Sequence, residues 1–199
     1  FDEAWVGEHH SAAWENIADP AMFLAVAGQR TQRIRLGSGV VSLPYHHPMM
    51  VADRFVQLDY LTHGRAMLGV GPGALISDAT MMGIDPVTQR PRMNEALGVI
   101  IRLLAGETVT HHSDWFTLEE ARLQLLPVNG SMPIAVASST SPSGMTAAGT
   151  HGVGVLSLGA GQIGGKKDLA AHWALGEKAA AESGKQLRRE EWQLVIRAH

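Results

Sequence analysis

Residues Gly37–Gly73 read GSGVVSLPYHHPMMVADRFVQLDYLTHGRAMLGVGPG, two apolar runs with one helical stretch between them. The first run belongs to an apolar strand spanning Ile34–Leu43. The middle puts Pro48 at a first helical position, lines Val51, Phe55 and Leu58 along one face and stops at Gly64. Ala66–Gly71 is the second strand. Strands joined by a helix pair in parallel, because the crossover returns the chain to the same end of the sheet. This one unit makes the fold α/β.

The same alternation runs outward in both directions. Further strands are expected at Ala4–Gly7, Pro133–Ser138, Val153–Leu158 and Trp192–Arg197. DPAMFLAVAGQRT begins a helix with Asp19 as its cap and Pro20 at its first position; RPRMNEALGVIIRLLAG does so with Pro91 and ends at Gly106. KKDLAAHWALGEKAAAESG closes a last helix at Gly184. Pro72–Arg90 reads as a long loop, Glu107–Leu126 as a small β excursion, and LGAGQIGG as a mobile loop. Six parallel strands build either an open doubly wound sheet or most of an eight-stranded barrel, and periodicity alone does not choose. The 199 residues are expected to form one domain, an interior piece of a longer protein, since the chain opens on Phe1 and closes on the strand-like WQLVIRAH.

Composition narrows the function. With 45% hydrophobic and 18% charged residues and a net charge of −3, nothing favours nucleic acid or an anionic membrane as partner. No apolar run approaches the roughly 20 residues of a spanning helix. The absence of cysteine removes disulfides, thiolate catalysis and sulfur-ligated metal. A cytoplasmic protein is expected.

In either architecture ligands bind at the carboxyl ends of the strands, and the chemically unusual residues fall there. They are Glu8, His9 and His10, then Tyr45, His46 and His47, then Gly71–Ala74, then Ser138–Ser141. No metal site is expected: the histidine pairs at 9/10, 46/47 and 111/112 point opposite ways if they lie on strands, and no helical-spaced ligand set accompanies them. His111 and His112 read as solvated hairpin residues. GVGPGA, Gly69–Ala74, fits a dinucleotide fingerprint, yet no helix begins inside it; its glycines suit a flat ligand lying against the backbone. Ser141 as cap and Pro142 as first helical residue, flanked by Ser138, Ser139 and Thr140, suit an anion at a helix amino end. Gly37 and Gly39 mark a bulge, a close approach of another group, or the packing of small residues. The residues alone reach an α/β protein that binds a flat, phosphorylated ligand.

WVGEHH (Trp5–His10), the Gly37–Gly73 stretch and PIAVASSTSP (Pro133–Pro142) together resemble the bacterial luciferase-like flavin monooxygenases over the whole chain. The resemblance implies a (β/α)8 TIM-type barrel, here an incomplete piece with about six of the eight core strands. It implies a reduced flavin, FAD or FMN, delivered by a separate NAD(P)H-dependent reductase and reacting with molecular oxygen. His9 falls on the family's catalytic histidine, and a non-proline cis peptide falls between Gly39 and Val40. Cofactor contacts fall on Ser38, Gly39, Val40, Gly71, Ala74, Ala137, Ser138, Ser139 and Ser141; His10, Tyr45, Met81 and Met82 fall around the substrate. Luciferase carries a reactive cysteine where Gly71 stands and a phosphate-binding arginine where Pro72 stands, so neither role carries over. The implied reaction inserts one oxygen atom into a small apolar organic substrate, and epoxidation of a monoterpene such as limonene is its sharpest form. A homodimer is consistent with it. A non-catalytic flavin binder of the same fold, or a pyridine-nucleotide dehydrogenase built on GVGPGA, are the other readings.

Overall fold

A computed structural model of the chain describes residues 1–13, 16–139, 141–157 and 169–194, which fall into two units, 1–132 and 133–199. In the first, β1 (Glu3–Val6), β2 (Arg35–Ser38) and β4 (Ala66–Gly71) run parallel, with Glu3 opposite Arg35, Val6 opposite Ser38, and Leu36 opposite Ala66. The expected strand Ile34–Leu43 is broken. It stops at Ser38, passes a cis Gly39–Val40 peptide, resumes as the two-residue β3 (Val41–Ser42) beside Val70 and Gly71, and turns through Leu43–Tyr45.

Helices α1 (Pro20–Arg30) and α2 (Pro48–Leu61) start where the prolines place them. Asp19 accepts hydrogen bonds from the amides of Ala21 and Met22, which no helical carbonyl could satisfy. Val51, Phe55 and Leu58 are all buried, joined by Leu24, Met67, Leu68, Leu97, Ile100 and Leu103. Gly37 in β2 and Gly39 just after it make room for the Trp5 side chain. A Cβ at Gly37 would collide with the Trp5 indole, and one at Gly39 would come within 2.9 Å of the Trp5 Cβ. The group that approaches this strand is a side chain of the neighbouring one.

At the amino ends of these strands Arg65 closes the core. Its guanidinium donates to the carbonyls of Thr62, Ile34, Gly28 and Thr31 and to the Thr31 hydroxyl, and among the described residues no carboxylate takes part. Buried Asp59 beside it accepts from the amides of Ala66 and Val128.

The segment between β4 and the next long helix is not a plain loop. It contains α3 (Ile76–Met81) and a helical turn at Pro86–Thr88, and α4 (Gln89–Leu104) begins before Pro91. A proline is tolerated in the first turn because its missing N–H would have had no intrahelical partner. An antiparallel hairpin follows, β5 (Val109–His112) with β6 (Thr117–Ala121). Its His111 is not a merely solvated residue. Its Nε2 lies 2.8 Å from Glu95 on α4, its ring stacks on Phe116 at 5.1 Å, and Glu95 also accepts from Ser113 and Trp115.

In the second unit β7 (Ile134–Ser138), β8 (Gly154–Ser157) and β9 (Trp192–Leu194) are parallel, with Ser138 opposite Ser157 and Val155 opposite Trp192. Helix α5 (Ser143–His151) packs on α6 (Leu169–Glu182), where a Cβ on Gly149 would collide with the Gly176 carbonyl. LGAGQIGG and the last residues of the expected strand 192–197 lie outside the described residues, as does Thr140. Among the described residues no helix is long and apolar enough to cross a membrane.

Candidate active site

The carboxyl ends of β1, β3 and β4 carry two carboxylate–imidazole groups. After Val6 the chain leaves the strand, so the alternation expected for Glu8, His9 and His10 does not apply; each side chain instead finds its own partner. The Glu8 side chain is fully buried. Its Oε1 lies 2.9 Å from His10 Nε2 and 2.7 Å from His46 Nε2, and its Oε2 accepts from the Ser42 amide at 2.7 Å. Burial pushes the carboxyl up, but the bonds from His46, the Ser42 amide and His10 outweigh it and hold Glu8 below the usual carboxylate range. An ionised carboxylate only accepts, so both rings donate from Nε2 and keep their lone pair on Nδ1 while neutral.

His9 belongs to the other group. Its Nδ1 is 3.3 Å from Oδ2 of Asp78, a buried residue on α3. Asp78 Oδ1 accepts from the His10 amide at 3.3 Å and from the Ser11 hydroxyl. Burial raises the Asp78 carboxyl, while Ser11, His9 and the His10 amide lower it further, leaving it below its ordinary value. With Nδ1–H given to Asp78, the His9 ring is fixed in one tautomer while neutral, with its lone pair on Nε2.

Tyr45 stands between the two groups. Its ring lies 6.1 Å from that of His10, edge to face, and its hydroxyl oxygen accepts from Gln89 Nε2 at 3.0 Å. Burial and then the charges of Asp78 and Glu8 raise its pKa, so it keeps its proton.

In the second unit, the turn from β7 into α5 gathers hydroxyls. The helix begins at Ser143, with Pro142 in the cap position, one residue later than the expected start; Ser141 Oγ still accepts from the Ser143 amide at 3.3 Å. Ala137 is half-buried, Ser138 is buried and Ser139 exposed. Gly144 has no alternative, since a Cβ there would collide with the Ala137 carbonyl. The helix amino end is thereby drawn tight against the strand's carboxyl end.

The remaining expected positions divide. Ser38 is committed to the sheet: its hydroxyl donates to the Gly69 carbonyl at 2.8 Å and accepts from the Gly69 amide at 3.0 Å. Gly39 and Val40 are half-buried around the cis bond, Gly71 ends β4 in the core, and Ala74 is exposed. Met81 and Met82, on and just after α3, are 68% and 39% exposed, so they offer an apolar surface rather than a closed wall. His46 is named from sequence only within the histidine-rich strand end Tyr45–His47, without a partner; Asp78 and Gln89 lie inside what reads as a loop and carry no such signal.

The luciferase-like monooxygenase family matches residues 1–195. The chain is 53% identical to limonene 1,2-monooxygenase of Rhodococcus erythropolis over 98% of its own length and 50% of that protein's. It is 52% identical to 4-hydroxyprotoasukamycin monooxygenase of Streptomyces nodosus subsp. asukaensis, over 100% of the chain and 55% of that protein. Among solved structures, the oxygenating constituent of 3,6-diketocamphane monooxygenase from Pseudomonas putida, in complex with FMN, superposes with a TM-score of 0.81 at 27% identity. That match covers 97% of this chain and 56% of the other. The chain thus spans about half the length of the relatives it matches. Parallel strands alternating with helices agree with a TIM-barrel fold, and the chain belongs to the luciferase-like monooxygenase family.

Proposed function

We propose that the protein is the oxygenating part of a flavin-dependent monooxygenase that places one oxygen atom on a small apolar organic substrate. The observation that carries the reading is the His9–Asp78 pair, a half-buried imidazole held by a buried carboxylate at a strand end. The names of the two relatives above 50% identity, both monooxygenases, support it. So does the donor chemistry of the β7–α5 turn: amides and serine hydroxyls at a helix amino end suit the phosphate of a flavin, FMN or FAD. Within the second unit, Ser138, Ser139 and Ser141 with Ala137 would hold that end; within the first, the backbone of Ser38, Gly39, Val40, Gly71 and Ala74 offers cofactor contacts of its own. When bound and reduced by a separate NAD(P)H-dependent reductase, the flavin supplies the activation of molecular oxygen.

The chain's own residues then manage protons and water. His9 would hold the proton that oxygen transfer consumes, and Asp78 would fix the ring's tautomer and stabilise the imidazolium. Glu8 keeps His10 and His46 in place without exposing its charge. Met81 and Met82 give an apolar substrate soft, adaptable contacts. A monoterpene is the substrate class that the first relative suggests.

The test is product analysis of the full-length protein given reduced FMN or FAD, oxygen and a panel of monoterpenes. Oxygenated product supports the reading. Flavin binding with no oxygenated product from any of them would leave a non-catalytic flavin binder.

A further inference from the structure

Gln89 is buried at the start of α4, and its Nε2 makes two hydrogen bonds. One goes to the Pro72 carbonyl at 2.8 Å, the other to the Tyr45 hydroxyl at 3.0 Å. A carbonyl can only accept, so the Pro72 contact fixes which end of the amide faces it. Gln89 therefore donates to Tyr45 as well, and the phenol oxygen is used as an acceptor. What is left on Tyr45 is its own proton. Among the described residues no hydrogen bond from that O–H is found.

The arrangement is built, not incidental. Gly73 has φ +90, and a Cβ there would collide with the Tyr45 hydroxyl and come within 2.6 Å of Gln89 Nε2. Three segments thus converge to hold one phenol: the turn after β3, the turn after β4 and the start of α4. The nearby charges of Asp78 and Glu8, with burial, keep the proton on. His10 braces the ring's edge.

We infer that Tyr45 is a substrate-orienting hydrogen-bond donor and Gln89 its positioning residue, so that the favoured substrate is an apolar skeleton carrying one acceptor oxygen, such as a ketone. The inference rests on the monooxygenase reading for where substrate sits, but its test requires no turnover. Limonene and carvone serve as probes, since they share a carbon skeleton and differ by a carbonyl oxygen. Their affinities for the flavin-loaded full-length protein are measured by equilibrium dialysis, with Tyr45→Phe and Gln89→Met alongside. The unaltered protein should bind carvone about fivefold tighter than limonene, the order of one net hydrogen bond. Tyr45→Phe should abolish that ratio while leaving limonene affinity unchanged, and Gln89→Met should reduce it without touching the phenol. A general loss of packing would weaken both ligands together and leave the ratio in place. A carvone-to-limonene ratio that is the same in the unaltered protein and in both variants, or binding of neither probe, overturns the inference. Failure of oxygenation with the ratio intact overturns the monooxygenase reading alone.

Discussion

The strands of the first unit end in two charged centres, one half-buried and one built on buried carboxylates, that are used in opposite ways. At the amino ends, the Arg65 guanidinium is spent on five bonds to four carbonyls and one hydroxyl, all neutral, and ties its own turn to the end of α1 and the start of β2. At the carboxyl ends, Glu8 and Asp78 hold imidazoles, groups whose ring nitrogens both donate and accept protons. A charge given to carbonyls can only hold the chain together. A charge given to histidines sets where a proton sits. One sheet thus carries a stabilising end and, opposite it, the end proposed here for chemistry.

The largest expected effect lies at the chemical end. His9→Ala in the full-length protein should retain flavin within a few-fold, while oxygenated product falls ~10²–10⁴-fold and hydrogen peroxide accumulates. Product and peroxide measured together distinguish uncoupling from a loss of binding. An unchanged product yield would place the proton donor elsewhere. Asp78→Asn should follow in the same direction, with a shifted pH profile, because an amide no longer stabilises the imidazolium.

Arg65→Met is the mirror image. It strands several buried carbonyls at once, each costing ~1–3 kcal/mol when left unsatisfied, so the melting temperature should drop by many degrees. Turnover per folded molecule should stay close to that of the unaltered protein. Arg65→Lys should not rescue the loss, since an ammonium cannot span the same fork of acceptors. A large fall in turnover with no change in melting would erase the contrast.

Glu8→Gln sharpens it by pH. Glu8 has a folded-state pKa below its unfolded one. Its contribution is therefore complete above the unfolded value, about 4.3, and is lost as pH falls through the folded value. Thermal melts from neutral to acidic pH should show a shallower acid decline for Glu8→Gln than for the unaltered protein. Asp78 and Glu95 are lowered too and contribute the same sign to both. Parallel declines would show that Glu8 gains nothing from its histidines.

The smallest effect belongs to the second unit. Ser141→Ala removes the hydroxyl that accepts from the Ser143 amide, which should cost about 1 kcal/mol of helix capping. If that turn also holds the flavin phosphate, flavin affinity should fall about fivefold in titration. Ser139→Asp should cost far more through repulsion. Unchanged flavin affinity in the Asp variant would move the phosphate away from this turn.

Local chemistry made much of this protein legible in its sequence. Asp19 and Pro20, then Pro48, name helix starts because capping and a fixed φ act within one turn of the chain. The apolar stripe Val51–Phe55–Leu58 and the run Ala66–Gly71 reveal burial through spacing alone, and together they imply parallel pairing. EHH at a strand end marked residues that the fold joins to buried carboxylates. Tertiary structure decided the rest, because the partners are brought together by crossovers rather than by periodicity. Asp78 reaches His9 across 69 positions, Glu8 reaches His46 across 38, and Gln89 reaches Tyr45 across 44. Gly37 is a glycine because Trp5, on another strand, lies over it. No pattern of residue types along the chain encodes such pairings; they exist only once the helices have carried each strand's end to the same side of the sheet.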